Sequence, residues 1–270
     1  MTFINNNFQD KKTVTKPIII LLVIALVIGG VYHFFGDDAE STGSINKNQA
    51  VRNAGDVQEI IAQWIDENPE KILVSIQKMQ AKAGKNKLKD ASKNIGKNKD
   101  KLFSDKSPQY APKKYDVTIV EFFDYNCGYC KKARDNVDKL IQEDKKVRVI
   151  FKEYPILGPQ SIEMSTVALA VHINYPKSYF KFHNALMKSK ERGKDGAYKV
   201  AKSLGLSVKK LKSTVARDAE KIAKMISENH QIGKEVGVTG TPGFVIGEEL
   251  LPGAYPLDVM KEKIAALRNK

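Results

Sequence analysis

Val117-Thr118-Ile119-Val120-Glu121-Phe122-Phe123 is an almost unbroken run of β-branched and aromatic residues. A run of this kind reads as a strand covered on both faces. Just beyond it, Cys127-Gly128-Tyr129-Cys130 opens a segment that places Ala133, Val137, Leu140 and Ile141 on one helical face. A helix is expected from about Gly128 to Asp144, then a second strand over Val147–Phe151. Strand, helix and strand with short joints make a βαβ unit, so the two strands should run parallel. The carboxylate of Glu121 inside the first run must be paired or protonated, because an isolated buried charge is too costly.

The rest of the chain is organised around that unit. From Pro159 to about Val236 the pattern is helical, with breaks at Pro176, Gly193, Gly196 and Gly205. A short strand follows at Gly243–Gly247, Glu248-Glu249 turns it, and Leu250–Pro252 reads as its partner. Pro256 starts a last helix bearing Val259, Ile264, Ala265 and Leu267. A βαβ half thus precedes a helical insertion at about 159–236, and a ββα half follows it. These elements assign residues 102–270 to one α/β domain.

The N-terminal part has a different character. From Ile18 to Phe35 there is no side chain charged at neutral pH, taking His33 as neutral. Those residues make roughly 27 Å of helix at about 1.5 Å each, close to the thickness of a bilayer core. Lys11, Lys12 and Lys16 precede the run, and Asp37, Asp38 and Glu40 follow it, which places everything downstream outside the cytoplasm. Residues 1–36 are therefore a signal peptide or a signal anchor, and both readings export the remainder. Residues 37–101 read as a polar tether, amphipathic helices and a Lys-rich linker. Val57, Ile60, Ile61, Trp64 and Ile65 form one apolar stripe, and Ile72, Leu73, Ile76 and Met79 another. Two short helices cannot make a core alone, so residues 56–80 are a candidate surface for self-association.

The net charge of +14 comes from 45 basic against 31 acidic residues. Only six of the basic residues are Arg, leaving 39 Lys. Readers of bases and phosphates rely on the planar Arg fork, so no nucleic-acid partner is expected. The charge concentrates between Ala81 and Lys114, where eleven Lys face Asp90, Asp100 and Asp105. This stretch reads as a solvated helix-and-linker segment.

Cys127 and Cys130 are the only cysteines. A zinc site would need two further ligands, and His33, His172, His183 and His230 are scattered through the chain, so no metal is expected. His183 reads as a helix residue on the surface of the insertion. An inert structural disulfide is a poor alternative, because so short a loop removes little chain entropy. A redox pair fits better. The unpaired N–H groups at a helix N-terminus stabilise an anion, so the Cys127 thiol should ionise below its free value. Cys127, at the exposed start of the helix, should attack, and Cys130, one turn in, should resolve the mixed disulfide.

Three segments carry a resemblance. Glu121–Lys132 (E-F-F-D-Y-N-C-G-Y-C-K-K), Phe151–Gly158 (F-K-E-Y-P-I-L-G) and Gly240–Gly247 (G-T-P-G-F-V-I-G) are similar to the DsbA-like branch of the thioredoxin superfamily, exported bacterial disulfide oxidoreductases. The Glu67-Asn68-Pro69-Glu70 turn resembles the subgroup with an extra N-terminal helical segment. The resemblance spans roughly Asp56–Leu267. It implies a thioredoxin fold with a helical insertion, no metal or organic cofactor, and Cys127 and Cys130 as the redox pair. It further implies Pro242 as a cis-proline facing the pair, and Thr241 as a backbone partner for an extended client peptide. Glu121 matches the family's buried acid and Lys152 the basic residue on the next strand, suggesting a Glu121–Lys152 pair under the disulfide. The partners implied are exported proteins with Cys and a membrane redox partner, in the periplasm, with residues 18–35 as a candidate anchor in the inner membrane. The strongly oxidising members carry Pro-His between the cysteines, whereas this chain has Gly128-Tyr129, the dipeptide of the superfamily's periplasmic isomerases. Disulfide donor, isomerase and reductase all stay open, as does a membrane-tethered binding or chaperone protein without redox turnover.

Overall fold

Val117–Phe123 forms the central strand (β2) of a five-stranded sheet in a computed structural model that describes residues 54–269. The strand order is β1-β3-β2-β4-β5, with β1 at Gln109–Tyr110, β3 at Val147–Glu153, β4 at Gly243–Ile246 and β5 at Glu249–Pro252. β2 and β3 are parallel, as the βαβ reading requires, and every other neighbouring pair is antiparallel. β3 runs two residues further than its apolar stretch, because Lys152 and Glu153 continue the register opposite Phe122 and Phe123. β1 has no signal in the sequence. It is two residues long, pairing Gln109 with Ile150 and Tyr110 with Val149, and the Pro108 carbonyl just before it accepts from Phe151 N–H at 2.8 Å.

Alternation along the strands sends side chains to two separate cores. Ile119, Phe123, Val149 and Phe151 face one side, with the helix that follows β2, the insertion and the last helix. Val120, Phe122, Ile150 and Val245 face the other. Each fully buried large apolar side chain on these faces contributes about 1.5–3 kcal/mol.

Ten α-helices are described: α1 Ala54–Glu67, α2 Pro69–Lys97, α3 Lys99–Leu102, α4 Gly128–Glu143, α5 Pro159–Asn174, α6 Tyr179–Lys188, α7 Gly193–Ser203, α8 Val208–Arg217, α9 Ala219–Glu235 and α10 Leu257–Arg268. α5 to α9 are the expected insertion. Gly158 precedes α5 with φ +102°, a conformation that side chains disfavour, and Pro159 occupies the first turn.

The N-terminal region departs from expectation. Only Asn68 separates α1 from α2, and α2 carries on for 29 residues through most of the Lys-rich stretch. Lys, Ala, Leu and Gln are good helix formers and no Pro interrupts them, so the segment propagates as helix rather than as a linker. Its C-terminal end is not solvated: Ala91 and Ile95 are buried with Leu102, Val120 and Phe122. The chain divides into compact units at Ser75/Ile76, so the larger unit begins well before residue 102. The apolar run at 18–35, with its export reading, lies outside the described residues.

Candidate active site at the mouth of α4

α4 begins where β2 ends, so the sheet itself delivers the cysteines to the helix N-terminus. Cys127 occupies the capping position: the Cys130 N–H donates to its Sγ at 3.3 Å. The Thr241 carbonyl lies 3.2 Å from Cys127 Sγ and accepts from the thiol in its protonated form. The Thr241–Pro242 peptide is cis. The structure thus brings together Cys127, Cys130, Thr241 and Pro242 from loops more than a hundred residues apart in sequence.

The two thiols differ sharply. Cys127 is lowered from 9.0 to about 6. The Cys130 thiol is the first cause, working against burial, followed by the Thr241 side chain and the backbone N–H groups of Cys130 and Tyr129. Cys130 is pushed far up, first by burial and then by its bond to Cys127. One sulfur is therefore anionic at neutral pH and the other holds its proton. Cys127 is less open than an exposed helix start suggests, at 6% exposure, because Thr241 lies against it; Cys130 is fully buried. Gly128 and Tyr129 leave the mouth accessible. A Cβ at Gly128 would meet nothing within 4 Å, and Tyr129 is 67% exposed.

Glu121 lies on the sheet face of Ile119 and Phe123, beneath the cysteines, and is buried. Burial pushes its carboxyl up to about 8, with Asp138 and Cys127 adding to the shift and Arg134 opposing it. Its expected pairing with Lys152 is not formed. The parallel register sets Glu121 against Phe151 and Phe122 against Lys152, so the two side chains leave opposite faces of the sheet. Lys152 instead donates to the Lys101 carbonyl at 2.9 Å and to Ser107 Oγ at 2.8 Å. The basic group felt by Glu121 is Arg134, a buried guanidinium on α4 paired with Asp135 and Asp138.

Several structural residues had no assigned role in the sequence. Buried Asp124 splices the site together: it accepts from Asn126 N–H at 2.7 Å, and from Ile156 and Leu157 N–H at 2.9 and 3.0 Å. Glu153, the residue after Lys152, returns to the cysteine face and accepts from Tyr179 Oη at 2.7 Å, Ser165 Oγ at 2.7 Å and Tyr125 Oη at 3.2 Å. Burial nonetheless pushes it up to about 8. His183 is not on the surface. It is buried, with Nδ1 3.2 Å from Tyr125 Oη and its ring against Phe151 and Phe123. Burial, with Arg134 adding, lowers it to about 3, so it stays neutral. The available signal was a pair of acids, Glu121 and Glu153, set within apolar strands.

The family model of a DSBA-like thioredoxin domain matches residues 118–265. The structure is similar to the thiol-disulfide exchange protein alpha-DsbA2 from Wolbachia pipientis, with TM-score 0.62 and 31% identity, covering 66% of this chain and 95% of that one. The sequence is similar to the disulfide bond formation protein D of Bacillus subtilis strain 168, 24% identical over 158 residues, 55% of this chain and 71% of that one. It is also similar to a Na(+)/H(+) antiporter NhaA 3 of Salinispora tropica, 21% identical over 156 residues, 57% of this chain. The match spans 23% of the antiporter, so the chain corresponds to about a quarter of that relative's length.

The raised acid gives a pH signature. Glu121 takes its ordinary value of 4.5 in the unfolded chain and about 8 in the folded one. Between those values the folded state binds the extra proton, so stability falls as pH rises from about 4.5 to about 8. Glu121→Gln removes this titration while leaving Glu153 in place. Urea unfolding at pH 5 and pH 8 should show the wild type losing stability relative to Glu121→Gln, by at most about 3.5 kcal/mol. A difference that does not change with pH would contradict a buried, protonated Glu121.

Proposed function

We propose that this chain, which belongs to the DSBA-like thioredoxin family, exchanges thiols and disulfides with exported proteins, donating disulfides through Cys127 and Cys130. The observation that carries the proposal is the asymmetry of the two sulfurs. In the oxidised enzyme a client thiolate attacks Cys127 Sγ. The Cys127–Cys130 bond breaks and Cys130 leaves, taking up a proton. A second client thiolate then attacks the client sulfur of the mixed disulfide and expels Cys127 as a thiolate. The client loses two electrons and the enzyme gains them.

Cys127 at about 6 is a good leaving group in the second step. At pH 7 it also stabilises the reduced enzyme over an ordinary thiol by about 1.4 kcal/mol, about 30 mV for a two-electron couple, in the oxidising direction. Pro242 and Thr241 flank the sulfur where an extended client strand would lie. Exposed Tyr129, Ile156, Leu157 and Ile162 offer apolar area at the same end of the sheet. A membrane redox partner reoxidises the pair, and the basic-before, acidic-after flanks of residues 18–35 support a periplasmic location.

Isomerase or reductase work is the second reading, favoured by the exposed apolar stripe of the N-terminal helices. Ile61, Leu73, Ile76 and Met79 are 52%, 59%, 41% and 64% exposed. Self-association through residues 56–80 would cover them and present several redox pairs to one client. Sedimentation of the full chain in mild detergent should show an oligomer that Ile61→Lys with Met79→Lys dissociates. A monomeric wild type would remove this support.

Cys130→Ser tests the redox reading, because it leaves Cys127 reactive and unresolved. It should accumulate client adducts that reductant releases, while Cys127→Ser should lose turnover altogether. A binding protein without redox chemistry would keep its clients through both substitutions with no adduct. Kept reduced, an isomerase would rescue a scrambled multi-disulfide client, and a donor would not.

A further inference from the structure

Two features of the sequence find no place at the cysteines: Lys152, turned to the far face, and the Lys-rich stretch that ends near it. They meet at a cavity of about 780 Å³ flanked by α3, the loop after it, α5 and α9. That volume lies within the roughly 300–1,000 Å³ typical of sites for organic ligands.

The cavity has the charge of an anion site. Lys101, Lys106, Lys152 and Lys221 line it against the carboxylates of Asp100 and Glu228. Glu228 is itself held at 3.9 Å by Lys224, which is not part of the lining. The ammonium of Lys152 is the fixed element. Its side chain is buried, 4% exposed, and its amine makes two hydrogen bonds to the protein. An ammonium has three donors, so one remains for the cavity that Lys152 lines. Burial pushes this amine down to about 8, with the Glu228 carboxylate of the same cavity opposing the shift, and a bound anion would oppose it further. Lys106 and Lys221 are exposed and add positive charge to the cavity's lining. Lys rather than Arg supplies every cation, which suits a point contact to a carboxylate or phosphate rather than a bidentate fork. Ile173, Met225 and buried Ile232 form an apolar strip of the wall, beside the polar side chains of Ser104, Ser107, His172, Asn229 and Gln231.

We propose that this cavity binds a small amphiphilic anion, its carboxylate or phosphate head on Lys152 and its apolar body along Met225 and Ile232. Lys152 leaves the sheet on the face opposite Cys127, and binding there does not depend on redox turnover.

Isothermal titration of the full chain with octanoate, octyl phosphate, inorganic phosphate and octylamine tests this. Octanoate and octyl phosphate should each saturate one site, and the tighter of the two identifies the head. Inorganic phosphate should bind at least tenfold more weakly and octylamine not at all. Lys152→Met should weaken octanoate at least tenfold. Lys221→Glu, at an exposed position that does not threaten folding, should weaken it at least threefold. Octylamine binding as tightly as octanoate, inorganic phosphate matching octyl phosphate, or octanoate affinity unchanged in Lys221→Glu would each overturn the proposal.

Discussion

A single sulfur held at the N-terminus of α4 organises the chemistry of this protein. Cys127 is the helix cap and receives the Cys130 N–H. The donors that a first helical turn leaves unpaired are therefore spent on an atom that carries negative charge. The fold supplies this arrangement through one joint. β2 lies in the centre of the sheet, and Asp124 ties the loop after it to the loop after β3. The cysteines thus emerge at a fixed place beside the Thr241–Pro242 loop.

Beneath the thiols the protein keeps its titratable groups largely uncharged. Glu121 and Glu153 are both pushed up to about 8, and His183 is pushed down to about 3. Burial is the leading cause in all three cases. The low-dielectric floor keeps Cys130 a thiol, while its S–H helps to hold Cys127 as a thiolate. The contrast between the sulfurs arises from hydrogen bonds that lower Cys127 at the helix mouth and from burial that raises Cys130 a turn inside.

The βαβ unit, the insertion and the ββα half were legible because each rests on local pattern: continuous apolar strands, helical stripes and Gly or Pro breaks. Cys127, Cys130 and the Thr-Pro loop were legible for the same reason, as short motifs with a mechanism. What failed depended on parity or on distant partners. Glu121 and Lys152 are adjacent strands' acid and base in sequence, yet a one-residue offset in register places them on opposite faces. His183 sits in a segment that reads as amphipathic helix, and only the packing of Tyr125, Phe123 and Phe151 shows that its face is the inner one. The Lys-rich stretch looked like a linker because its charge hid Ala91 and Ile95, whose burial depends on a sheet far along the chain.

Cys127 as an anion near neutral pH is what the redox chemistry requires, and the rate of its alkylation against pH measures that directly. With iodoacetamide on the reduced protein, the rate should rise through a midpoint near 6 and be level by pH 7.5, with Cys130 unmodified. A midpoint near 9, the value of an ordinary thiol, would contradict a Cys127 thiolate stabilised at the mouth of α4.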